Sequence, residues 1–113
     1  MAFVEDRTQD GSCVHVVLGG RLDLVGVGLV ERAFTFATTA RRLPVMVDVS
    51  EVTFLSSLGL GMMVGAARAL ARQGRRMVLV RPPPMIREIL EASVLQEILP
   101  VAADEDHARA LLR

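Results

Sequence analysis

The chain has 113 residues, enough for one domain (residues 1–113) with a single core and too few for two. Hydrophobic residues make up 51%, which excludes a disordered chain, and with four Phe and no Trp or Tyr the core must come from Val, Leu, Ile, Met and Ala. Lys plus Arg balances Asp plus Glu at 13 each, so the composition gives no basic field for nucleic acid and no polybasic membrane patch, and the scarcity of aromatics counts against reading single strands by base stacking.

Residues 2–5 suit a short edge strand, and the polar stretch Thr8 to Ser12 a turn. Cys13 to Leu18 is rich in β-branched residues and predicts a strand, which Gly19-Gly20 should interrupt before Arg21-Leu22-Asp23 follows as a strand end or loop. Cys13, the single cysteine, excludes an internal disulfide and points to a reducing compartment. From Val25 to Ala40, apolar residues recur at helical spacing (Val25, Leu29, Val30, Ala33, Phe36, Ala37). Pro44 then opens the apolar strand VMVDV, broken only by Asp48.

A second helix covers Ser57 to Arg72 and stops at Gly74. Met77 to Arg81 is another buried strand, and Pro82 to Pro84 make a rigid turn with Pro84 suited to the first helical position. A helix follows over Met85 to Glu91, apolar periodicity continues over Ser93 to Ile98, Leu99 to Ala102 is a short strand, and Asp104 to Arg113 forms a terminal helix. Strands alternating with helices predict βαβ units with mainly parallel pairing. The N-terminus lacks the apolar segment of a secretory signal, and the longest uncharged apolar run, Leu58 to Ala67, falls short of the ~20 residues of a membrane helix. A soluble, cytoplasmic protein without membrane insertion is expected.

The second helix carries the sharpest signal. With 3.6 residues per turn, Ser57, Gly61, Gly65, Arg68 and Arg72 share one stripe, while Met63, Ala66, Ala67 and Leu70 lie opposite and should cover the sheet. Leu58 and Met62, four apart, form an apolar pair beside the stripe. Glycine in a helix interior costs roughly 1 kcal/mol relative to Ala, so these glycines need a close-approach reason, internal or external. In the first case Ser57 is a helix cap; in the second it is a modifiable hydroxyl at the head of a binding face. Arg68, Arg72, Arg75 and Arg76 read as a solvated helix end. Catalytic patterns fail: Leu55 stands where a nucleophile elbow needs Gly, Val64 where a dinucleotide loop needs Gly, and neither His15 nor His107 belongs to a triad or a metal-ligand cluster.

Taken in order, the segments Gly20-Arg21-Leu22-Asp23, Val47-Asp48-Val49-Ser50 with Val52-Thr53-Phe54, Ser57 with Gly59-Leu60-Gly61, the Gly74 stop, the strand MVLV and the helix IREILEASVLQEILPV resemble a STAS domain, specifically the single-domain anti-sigma factor antagonists of bacteria. The resemblance implies an α/β fold, a mixed sheet of four or five strands with about four helices packed on it. It implies no enzymatic activity, no cofactor and no metal. It further implies binding to a serine-kinase anti-sigma factor, phosphorylation by that kinase at Ser57, with Ser56 as second candidate, and reset by a phosphatase. The partner-binding residues it implies are Arg21, Asp23, Ser56, Ser57, Leu58, Gly61, Met62 and Gly65. A monomer outside its complexes is expected, with no nucleic-acid partner. Where the family has Asp before the phosphorylated serine and a small residue after it, this chain has Ser56 and Leu58. That departure favours an alternative, a non-switching STAS-type interaction subunit of a lipid-transport or stress-sensing assembly.

Overall fold

A computed structural model describes all 113 residues. One sheet holds five strands in chain order: β1 (Phe3–Asp6), β2 (Val14–Leu22), β3 (Val45–Leu55), β4 (Met77–Val80) and β5 (Val101–Ala102). β1 runs antiparallel to β2, and the remaining neighbours are parallel. The crossovers are α1 (Leu24–Thr39), α2 (Ser57–Ala71) and α3 (Pro84–Glu91) followed by a 3-10 turn at Val94–Glu97, and α4 (Glu105–Leu112) comes last. This is the mixed sheet with four helices that the sequence predicts.

The central strands read as continuous apolar runs because both of their faces are covered. On one face Val16, Val47 and Leu79 meet Phe34 of α1, Met63 and Leu70 of α2, and Ile86 and Leu90 of α3. The other face is smaller: Met46, Val78, Val80 and Ala102 receive Ala108 of α4, with Cys13 buried beside them.

The strands at the functional end run longer than predicted. Gly19-Gly20 does not interrupt β2; the strand continues to Leu22, with shifts of register against β3 on either side of the glycines. Gly20 adopts φ +85°, the left-handed conformation that lets a bulge pass without breaking the ladder. Gly19 lies beneath the Phe3 ring, where an added Cβ would come within 2.5 Å of Cε1 and Cζ. Because β2 continues, β3 has a partner beyond Val49 and extends to Leu55, so the expected link between strand and serines is itself strand. The edge strand sits one residue later than predicted, the Ser93–Ile98 periodicity condenses to a single 3-10 turn, and the last strand shrinks to two residues.

Candidate functional site

Leu22 and Leu55, the last residues of β2 and β3, are paired neighbours, and from each the chain passes directly into a helix. Asp23 caps α1: its Oδ1 accepts the Gly26 N–H at 2.8 Å. That hydrogen bond, seconded by Arg21, holds its carboxyl below the usual carboxylate range. Arg21 lies over the Phe54 ring, 4.4 Å from the centroid, with its Nε 3.4 Å from Asp23 Oδ2. The ring and Asp23 orient the Arg21 side chain, which stays 61% exposed and so available.

Ser56 does the corresponding work for α2. Its Oγ accepts the Gly59 N–H at 3.1 Å and donates to the Leu22 carbonyl at 2.5 Å, and its own N–H donates to the same carbonyl at 3.0 Å. The cap role considered for Ser57 therefore belongs to Ser56, which ties the head of α2 to the end of β2. Ser57 is the first residue inside the helix, exposed, and its hydroxyl has no partner within the fold. No acid stands in the first turn of α2.

The glycines also divide. A Cβ on buried Gly59 would meet Leu22 Cβ at 2.9 Å and Leu55 Cδ1 at 3.0 Å, and one on Gly26 of α1 would collide with the Arg21 carbonyl. These two serve close packing of the helix heads on the strand ends. Gly61 and Gly65 are exposed and a Cβ on either would meet nothing within 4 Å, so no internal contact explains them. Met63, Ala66, Ala67 and Leu70 are buried and Arg68 and Arg72 exposed, as helical spacing predicts. Leu58 is 48% exposed and Met62 half-buried, so the apolar pair flanks the bare stripe.

Of the predicted residues, Arg21, Asp23, Ser56, Ser57 and Leu58 come together at the strand ends, and Gly61, Met62 and Gly65 continue along α2. Phe54, which carries Arg21, had no signal in the strand alternation: period two puts it on the face of buried Val52, and its exposure comes with the register shift that leaves Thr53 unpaired. The histidines lie elsewhere. His15 is under α4, on the opposite face of the sheet, with Nδ1 3.6 Å from Glu105 Oε1, and His107 Nδ1 accepts the Ala103 N–H at 3.1 Å. Asp48 is also on that side, with Oδ2 2.6 Å from Arg81 Nη2 and Oδ1 accepting the Ser50 N–H at 2.9 Å. Burial alone would raise its pKa; the Ser50 N–H and Arg81 outweigh that and hold it below the usual range.

The site as built presents an ordered cation, a free hydroxyl and a flat helix face with an apolar rim. Comparison with known proteins agrees with the fold that presents it. The chain is 26% identical over 98 residues to the anti-sigma-B factor antagonist of Staphylococcus aureus, covering 87% of this chain and 90% of the relative. The anti-sigma-B factor antagonist of Listeria monocytogenes is 22% identical over 98 residues, covering 87% and 86%. A solved STAS domain protein from Planctomyces limnophilus, described as an anti-sigma-factor antagonist, superposes with a TM-score of 0.83 at 19% identity, over 100% of this chain and 99% of that one. The sequence profile of the STAS domain matches residues 5–108, and with the strand order and helix placement above it assigns this chain to the STAS domain family.

Proposed function

We propose that this protein is an anti-sigma factor antagonist, a binding module rather than an enzyme, which engages a serine-kinase anti-sigma factor through the head and bare face of α2 and is released when Ser57 is phosphorylated. The observation that carries the reading is the division of labour between the two serines. Ser56 spends its hydroxyl on the Leu22 carbonyl and the Gly59 N–H, whereas Ser57 projects a free one from the first helical position. Relatives named anti-sigma-B factor antagonists support the same reading.

Phosphate adds about −1.5 to −2 charges at neutral pH. At a helix N-terminus that charge is locally tolerated, so the fold stays as it is and the effect falls on the partner, by repulsion and steric intrusion on the flat stripe. A phosphatase resets the switch, and the protein is a cytoplasmic monomer outside its complexes. No helix is long and apolar enough to cross a membrane. Incubation with the host's serine-kinase anti-sigma factor and ATP, followed by mass spectrometry, should place one phosphate on Ser57. Wild-type levels of labelling in Ser57→Ala would reject that residue.

The neutral Ser56 and bulky Leu58 favour a second reading in which the same face binds constitutively. In that case the protein would co-purify with a transporter ATPase, and Ser57→Asp would leave the association unchanged.

A further inference from the structure

The surface around α2 extends onto α1, which packs beside it on the same side of the sheet. Val25, Leu29 and Phe36 fall on one side of α1 and are 70%, 57% and 73% exposed; Leu24 at its head is exposed too. Gly28, on the same outer side, has nothing within 4 Å of where its Cβ would be. This apolar strip covers no part of the core, and apolar side chains gathered on one exposed helix face are the feature by which interaction sites on soluble domains are recognised.

The charge on this surface is one-sided although the chain is neutral overall. Residues 24–42 and 57–76 contain seven arginines and a single acid, Glu31. Arg41 pairs with Asp6 at 3.0 Å, Arg75 donates to the Arg41 and Leu43 carbonyls, and Arg76 to the Leu111 carbonyl at 3.0 Å. Arg32, Arg42, Arg68 and Arg72 are exposed and make no ion pair or side-chain hydrogen bond.

We infer that the outer face of α1 and α2 receives an acidic amphipathic helix of a protein partner, whose apolar residues cover Val25, Leu29, Phe36 and Leu58 while its carboxylates meet the four unpaired arginines. The inference rests on the proposed reading of α2 as the partner face and names the chemistry of what binds there. A second copy is the wrong occupant, because an isologous pair would set like charges against each other. A bilayer rewards inserted apolar bulk, which Gly28, Gly61 and Gly65 do not supply; a helix backbone can lie close on them.

The test follows backbone amide shifts of the full-length chain during titration with three probes: a designed Leu/Glu amphipathic helix, its Leu/Lys counterpart, and phosphatidylglycerol vesicles. The Leu/Glu helix should move amides of α1 and α2 and bind on the order of tenfold more tightly than the Leu/Lys helix, less so in high salt. R32E/R68E, and independently R42E/R72E, should invert that order, and all four sites are exposed, so the fold should survive. Phe36→Ser should weaken the Leu/Glu helix several-fold without inverting it. Equal binding of both peptides, preference for vesicles, or shifts confined to α3 and α4 would overturn the inference. Labelling of Ser57 by the serine-kinase anti-sigma factor, measured separately, distinguishes the two failures. Labelling without preference for the acidic helix sinks this inference alone; preference without labelling sinks only the switch.

Discussion

Ser56 and Ser57 are adjacent, chemically identical, and placed one on each side of a helix boundary, so they should respond differently to the same change. Removing the hydroxyl of Ser56 loses the cap and leaves the Gly59 N–H unpaired; Ser56→Ala should cost about 1 kcal/mol in denaturant unfolding. Ser57→Ala should stay within about 0.5 kcal/mol, since nothing in the fold uses that hydroxyl. The glycines offer a parallel contrast. Gly59→Ala forces a methyl against Leu22 and Leu55 and should destabilise by about 1–3 kcal/mol. Gly61→Ala and Gly65→Ala meet open space and should stabilise the free protein by up to ~1 kcal/mol while weakening its hold on the partner. Calorimetry on the free chain with a binding assay beside it checks both signs. Helical spacing made the outward stripe legible from sequence, but it could not separate Gly59 from Gly61, because that distinction depends on which strand ends the helix head lands on.

Among the four α-helices, α4 buries least. Its apolar contact is the small cluster around Ala108, with Leu111 and Leu112 at its edge, supplemented by Glu105 near His15 and Arg81. Native-state hydrogen exchange should find α4 opening at lower free energy than β2, β3 and β4. Next to it, Arg81 holds φ 53°, uncommon for a residue with a side chain, and its pairing with buried Asp48 explains why arginine persists there. Arg81→Ala should cost about 2 kcal/mol, discounted because the guanidinium is partly solvated, whereas Arg81→Gly should recover about 1 kcal/mol of that loss by relieving the backbone. The carboxyl of Asp48 is depressed in the folded state, so its contribution is present above the unfolded value near 4 and disappears as pH falls through the lower folded value. The stability gap between wild type and Asp48→Asn should therefore narrow below about pH 4. Order and type of the elements were legible because the periodicities are strong. The continuation of β2 through Gly19-Gly20 was not, since a glycine pair reads as a break unless the neighbouring strand and the Phe3 ring above it are in view.

At the scale of the whole molecule, the even balance of charge conceals a separation. Arginines dominate the surface of α1 and α2, and twelve of the thirteen acids lie outside those two helices and the short loops that follow them. Composition could not show this, because it becomes visible only once both helices are placed on one side of the sheet. Like charge on the most apolar face discourages self-association there, so sedimentation should give a single monomeric species, and a stable dimer blocked by R32E would contradict that.

The neutral head of α2 bears on the charge a phosphate there would carry. With a neutral cap and no acid in the first turn, the positive end of the helix meets no carboxylate of its own. A phosphate arriving on Ser57 would find that field unshared, which favours its dianion and draws its second ionisation below the ordinary value near 6. The modified serine would then carry close to two negative charges at neutral pH, the full charge with which the switch can repel its partner.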